Sequence, residues 1–337
     1  MITRLKVNKF TAFDELDIQF SKGVNIFIGE NATGKTHILK MLYSTCYVAD
    51  SNITISLSQK LNNVFLPDGI GRLARRSRGV SSGNFTVYRN DDDDDIDRYI
   101  KFSVSTKDKT DGKVTQSRWK KDYRYNVVYI PVKDMLANAP GFRSLYALRN
   151  IYFEEVYNDI IDRALLPPPV GKPTPERQRL MRLIEQAISG KIVVKNEHFY
   201  LHNRQGQLEF TLLAEGYRKL GLLYSLIQNE TLAKSSILFW DEPEANLNPK
   251  LAKTIIEIIL ELQRMGVQVF LSTHDYVILK EFELATTDND AVMYHCLYKD
   301  GDRVFHSTAS HPDDIENSAI DATYNDLLDR DIRRRLG

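Results

Sequence analysis

The sequence predicts an α/β fold: a central mixed sheet around a glycine-rich loop, with an antiparallel β lobe and an inserted helical lobe. Three observations carry that prediction. A nearly all-apolar run, Val24-Asn25-Ile26-Phe27-Ile28, leads into the glycine-rich Gly29–Thr36 and then a helical face bearing Ile38, Leu39, Leu42 and Cys46. Strand, loop and helix in that order suit a buried strand feeding a parallel α/β unit. Two more apolar runs end in polar residues: Ser236–Trp240 before Asp241-Glu242-Pro243, and Val267–Leu271 before Ser272-Thr273-His274-Asp275. Between these blocks, residues 57–130 read as short strands and residues 131–199 mainly as helix.

The elements follow in chain order. Ile2–Val7 and Leu16–Phe20 alternate apolar with polar residues, as half-buried antiparallel strands do. Past residue 57, Asn84–Tyr88, Tyr99–Val104 and Tyr125–Ile130 read as hairpin pieces separated by polar turns. The run Asp91–Asp95 reads as a solvated acidic loop. Arg72–Arg78 and Ser117–Arg124 are basic stretches that read as solvated faces, with phosphate backbones as the sharper alternative. From Lys133 to Gly190 the pattern is helical, broken by Pro167-Pro168-Pro169 and Pro173. Thr174-Pro175-Glu176 restarts it, with a cap and a proline in the first turn. A hairpin, Phe199–His202 and Leu208–Leu212 joined through Gln205-Gly206, then precedes the helix that carries Leu220, Leu223 and Ile227. The helix Leu251–Met265 links the last two apolar strands, and the tail Asp313–Gly337 is charged and helical.

One domain is expected over 1–337. Its core is 1–56 and 200–300, with the β-rich insertion at about 57–130, the helical insertion at about 131–199 and the tail at about 301–337. The 337 residues are 42% hydrophobic and 27% charged, enough for a sizeable core. Lys+Arg and Asp+Glu both number 45, so no general polyanion-binding surface is advertised. Cys46 and Cys296 lie far apart, without metal-ligand spacing, and read as thiols of a reducing compartment. No apolar signal segment opens the chain and no run of eighteen apolar residues occurs. A cytoplasmic protein with no membrane partner is expected.

The chemistry concentrates in a few residues. In Gly29-Glu30-Asn31-Ala32-Thr33-Gly34-Lys35-Thr36 the two glycines let the backbone turn its amides inward, toward phosphate oxygens. Lys35 would reach the β- and γ-phosphates of ATP and the Thr36 hydroxyl would ligate Mg2+. His37 follows in the first helical turn and completes the candidate nucleotide contacts. Asp241, at the end of an apolar strand, would hold the metal shell, while Glu242 would polarise the attacking water as general base. A lone histidine is ordinarily structural. His274 stands where a γ-phosphate sensor would sit, and is counted with Glu242 and Lys35 as catalytic.

These features together resemble the ATP-binding-cassette (ABC) ATPases of the SMC, RecF and OLD type. The resemblance covers the N-terminal 40 or so residues and about 210–280. It implies an ABC-ATPase head, with Ala245-Asn246-Leu247-Asn248-Pro249 at the D-loop and LSTHD at the switch histidine. The family's signature segment would fall at Leu213-Ala214-Glu215-Gly216-Tyr217. In the family this segment closes over the ATP of the opposite subunit, which implies head-to-tail dimers burying two ATPs. Ala214 stands where a serine is usual and Glu215 where a glycine is usual; Arg218 or Lys219 would compensate the added charge. The amides of Glu215 and Gly216 keep a phosphate-binding start to the helix. No Q-loop glutamine follows Val127–Ile130, where Lys133 or Asp134 would substitute.

The segment YIPVKDML looks like stand-alone AAA-type ATPases of the OLD-like group, several of which act in bacterial phage defence. That group often pairs the head with a separate nuclease or toxin, and no Toprim signature is evident in this chain. The resemblance thus implies a homo-oligomeric ATPase controlling an effector protein. A RecF-like ATPase that binds nucleic acid through the basic stretches is the alternative.

Overall fold

The computed structural model describes residues 1–76, 78–91, 94–119, 126–149 and 151–336; for 91 and 94–97 it describes the backbone alone. Lys120, Lys121 and Arg124 of the second basic stretch, Ser77 of the first, and the side chains of the Asp91–Asp95 run lie outside the described residues.

Strands β1 (Ile2–Phe10) and β2 (Phe13–Gln19) form an antiparallel hairpin, and β3 (Val24–Gly29) leads into helix α1 (Lys35–Tyr47). Helix α2 (Leu57–Phe65) opens the next segment, capped by the Ser56 side chain accepting from the Gln59 amide. Then come β4 (Ser82–Asp91), β5 (Asp94–Ser105), β6 (Lys113–Ser117) and β7 (Val127–Ile130). The helical stretch supplies α3 (Phe142–Arg149), α4 (Glu155–Ala164) and α5 (Pro175–Ile188). Helix α5 starts as expected, on a Thr174 cap with Pro175 in its first turn. After β8 (Lys191–Lys195), β9 (His198–Asn203) and β10 (Gly206–Glu209) come α6 (Glu215–Gln228), β11 (Ile237–Asp241), α7 (Ala252–Arg264) and β12 (Gln268–Ser272). The chain continues through α8 (Tyr276–Ala285), β13 (Val292–Asp300), β14 (Arg303–Ala309) and α9 (Ala319–Leu336).

The strands make three sheets. The central one has the order β14-β13-β3-β12-β11-β7, parallel throughout except for β14. A five-stranded antiparallel sheet runs β2-β1-β4-β5-β6, and a small one runs β10-β9-β8. The central strands read as continuous apolar runs because both faces are covered. Their period of two deals the residues to two cores. Phe27, Val127, Tyr129, Phe239 and Phe270 join α1 and the antiparallel sheet in one core. Ile26, Ile28, Val128, Leu238, Trp240 and Leu271 join α4 to α7 in the other. Each buried side chain of this size stabilises by roughly 1.5–3 kcal/mol. The loop after β3 is thereby anchored between the two cores.

Three expectations are corrected here. Residues 57–130 are not all short strands, because Leu57–Phe65 forms helix α2. Val127–Ile130 is not a hairpin piece but the parallel edge of the central sheet, paired to β11. Phe210–Leu212 is not strand: the hairpin ends at Glu209 and a turn of 3-10 helix follows. Strand β9 pairs β8 along its other edge. Among the described residues no helix is long and apolar enough to cross a membrane. Cys46 and Cys296 are free and buried.

Candidate nucleotide site

The loop is shaped by its glycines. Gly29 has φ 137°, and a Cβ placed there would lie 2.0 Å from the Leu297 carbonyl oxygen of the neighbouring strand β13. Gly34 has φ 97° and would bring a Cβ within 2.5 Å of the Phe13 ring. Only a residue without a Cβ satisfies both the dihedral and the close approach. Between them Ala32 is also left-handed (φ 61°), and the Thr33 hydroxyl donates to the Glu30 carbonyl across 2.8 Å. Glu30, Asn31 and Ala32 are exposed, whereas Thr33 and Lys35 are buried. Lys35 Nζ donates to the carbonyls of Gly29 (2.7 Å) and Glu30 (3.0 Å), folded back over the loop. Burial pulls its ammonium below the usual lysine range, opposed by the negative charges of Glu242 and Asp241. His37 stacks its ring at a tilt on Phe65, and burial lowers its pKa to about 4, so it is neutral at physiological pH.

The acidic side comes from the ends of β11 and β12, brought beside the loop by the parallel pairing of β12 to both β11 and β3. Asp241 is buried and accepts three hydroxyls: Thr36 (3.1 Å), Ser272 (2.5 Å) and Tyr129 (3.1 Å). Glu242 holds a left-handed backbone, φ 49°, with its amide donating to the Ser272 carbonyl at 3.1 Å. Such a conformation costs about 1–3 kcal/mol and is retained where it aims a group. The Glu242 carboxylate lies 3.3 Å from His274 Nδ1. His274 is exposed, and its amide donates to Glu244 Oε1 at 3.1 Å, which also accepts the Thr273 hydroxyl at 2.7 Å. Lys35, Thr36, Asp241, Glu242 and His274, predicted from three separate segments, therefore converge on one site.

The signature segment is placed at the start of α6. Ala214 is its N-cap, exposed and without a side-chain oxygen to cap the helix, and Glu215 and Gly216 open the first turn. Of the two cations expected to compensate Glu215, Lys219 lies in the field of its negative charge. Arg218 pairs with Asp134 at 3.4 Å, and Lys219 is buried, donating to the carbonyls of Pro243 and Ala245. Asp134 is itself buried, its carboxyl pushed up by that burial, and it accepts the Leu136 amide; it belongs to this brace.

Sequence reasoning missed Tyr129, Ser272 and Glu244 as neighbours of the site. For Glu244 a signal existed, a third carboxylate two residues beyond Glu242. The tail was expected as helix, but not that α9 lies across a cavity of about 370 Å³ from Gly29, Glu30, Asn31 and His274. Tyr324 of α9 stacks on Tyr276 with ring centroids 3.8 Å apart.

The family described as "AAA domain, putative AbiEii toxin, Type IV TA system" matches residues 49–280, and the chain belongs to that family. Among curated proteins it is similar to the DNA replication and repair protein RecF of Streptococcus suis strain 05ZYH33, 50% identical over 42 residues, 12% of each chain. RecF of Clostridium kluyveri is 43% identical over 61 residues, 18% of this chain and 16% of that protein. These matches thus span only a small part of the relatives' length. Among solved structures, an SmcHead bound to the C-winged helix domain of ScpA superposes with TM-score 0.56 at 13% identity, covering 93% of this chain and 98% of that one. The SMC head domain of Thermotoga maritima gives TM-score 0.52 at 13% identity over 92% and 99%. The fold is that of an SMC-type ABC-ATPase head.

Proposed function

We propose that this AAA-domain chain is a Mg2+-dependent ATPase whose site is completed by a second copy, and whose nucleotide-driven pairing switches a separate effector, a nuclease or toxin, in anti-phage defence. The convergence of Lys35, Thr36, Asp241, Glu242 and His274 on one loop carries the catalytic part. The cradle at Gly29, which any Cβ would fill, fits a phosphate lying against the backbone amides of Glu30 to Lys35. The Thr36 hydroxyl and Asp241 carboxylate, 3.1 Å apart, are the hard oxygen donors Mg2+ takes alongside phosphates, and these two residues would hold it. When bound, Mg2+ neutralises charge on the phosphate oxygens. Lys35 turns from its two carbonyls to the β- and γ-phosphates. Glu242 orients a water in line with the γ-phosphorus and accepts its proton as the oxygen attacks; ADP departs with the cleaved bond's electrons. His274, 3.3 Å from Glu242, donates to the γ-phosphoryl oxygens as charge develops there.

The second copy would offer the amides of Glu215 and Gly216 at its own α6 start to the γ-phosphate. The toxin–antitoxin wording of the matched family supports an effector partner. Glu242→Gln tests the base. Hydrolysis should fall by roughly a hundredfold or more, with ATP still bound and the dimer accumulating in size-exclusion chromatography. Near-normal turnover would remove Glu242 from its role.

One observation favours a RecF-like reading. Arg72, Arg76, Lys107 and Lys109 line a groove of about 540 Å³ beside the antiparallel sheet, with Asp68 and Asp108. Binding of a DNA duplex that weakens steeply between low and moderate salt would support it. Binding indifferent to salt would count against it.

A further inference from the structure

The turn Pro243-Glu244-Ala245 is gripped from both sides, and the two grips belong to different parts of the mechanism. On one side Lys219 reaches in from α6, the helix that begins at the signature segment. Its Nζ donates to the Pro243 carbonyl (3.3 Å) and the Ala245 carbonyl (2.5 Å). On the other side the Glu244 carboxylate accepts the Thr273 hydroxyl (2.7 Å) and the His274 amide (3.1 Å). Lys219 is 3% exposed, so the turn and the helix enclose it. A Cβ on Gly216 would stand about 3 Å from Leu247 and Leu251, so the first turn of α6 rests on the residues that follow the turn. The turn is closed on itself as well, with the Ala245 amide donating to Glu242 and the Leu247 amide to Glu244. Burial raises the Glu244 carboxyl and lowers the Lys219 ammonium, whose charge the Glu244 carboxylate favours in turn. Glu244 Oε2 is buried without a partner, so the carboxylate is aimed by the two donors on Oε1 alone.

We infer that Lys219 and Glu244 are positioning residues that join the signature-bearing helix α6 to His274 through the 243–245 turn. A shift of His274 on meeting a γ-phosphate would move Glu244, and through the turn's carbonyls it would move Lys219 and the start of α6. The chain's own nucleotide site would thereby set the angle at which it presents residues 214–216 to the second copy. This inference rests on the ATPase reading above and assigns its internal coupling.

The test is a mutant cycle in the full chain, read as kcat and as ATP affinity. Lys219→Met and Glu244→Ala should each lower kcat by about tenfold or more, with ATP affinity held within about threefold. Glu244→Gln keeps an oxygen for the Thr273 hydroxyl and the His274 amide, so it should stay within about threefold of the parent. The double variant Lys219→Met/Glu244→Ala should be no slower than the worse single one, since the two residues act as one link. Should Lys219→Met not fold, Thr273→Val removes the donor on the far side and should lower kcat severalfold at unchanged ATP affinity. Independent, multiplying losses in the double variant would overturn the link. So would Glu244→Gln as slow as Glu244→Ala, ATP affinity falling in step with kcat, or an unaffected Thr273→Val. A parent chain with no turnover, indistinguishable from Lys35→Ala, would instead overturn the ATPase reading itself.

Discussion

The loop at 29–36 and the segment at 213–217 both present a helix N-terminus, yet they are held in opposite ways. The first is closed within its own chain: Gly29 presses on β13, Thr33 ties the loop to Glu30, and Lys35 bonds two loop carbonyls. The second starts on an exposed Ala214 with no capping side chain, and is braced from below through Gly216, Arg218 and Lys219. A site meant to hold a ligand alone needs shape from the backbone. A segment proposed to meet a ligand held by a second copy needs a firm support and an uncovered face.

Three variants would break or sharpen that contrast. Gly29→Ala should have the largest effect, because both the left-handed φ and the 2.0 Å approach to Leu297 must be relieved. We expect a loss of about 3 kcal/mol or more in denaturant unfolding together with lost nucleotide binding; unchanged stability would show that the loop is not held by β13. Lys35→Ala should leave stability nearly intact while weakening ATP binding about ten- to hundredfold, the worth of a charge-assisted hydrogen bond. Unaltered ATP affinity in a titration would count against the loop as the phosphate site. The smallest change, Ala214→Ser, supplies the missing cap oxygen and should stabilise the chain by about 1 kcal/mol. A lower melting midpoint for this variant would mean that the start of α6 is not free to accept a cap.

Much of this was legible in the sequence because it is local. The order strand, glycine loop, helix needs only neighbours, and so do the Thr174 cap and the apolar runs ending at Asp241 and Ser272. What escaped depends on contacts between distant segments. Val127–Ile130 is too short for its period to tell a hairpin from a parallel edge, and only pairing with Ile237–Trp240 decides it. Tyr129 looks like a core aromatic until its hydroxyl meets Asp241, 112 positions along the chain. Lys219 looks like a surface cation of an amphipathic helix, because nothing local announces the carbonyls of Pro243 and Ala245. The tail was read correctly as a charged helix, but its approach to Gly29 and His274 has no local signature.

Strand β3, which carries the loop, has its two neighbours in β12 and β13, and the earliest of those pairings waits for residue 268. On the ribosome, the apolar Val24–Ile28 therefore emerges with both edges open and stays so while most of the chain is made. Long-range parallel pairing is the slow kind, and unpaired edges of this sort invite aggregation. A half-made chain also lacks Asp241, Glu242 and His274, so it presents the loop without the groups proposed to act on its ligand. The residues proposed for catalysis therefore meet the loop together, in one late step of synthesis.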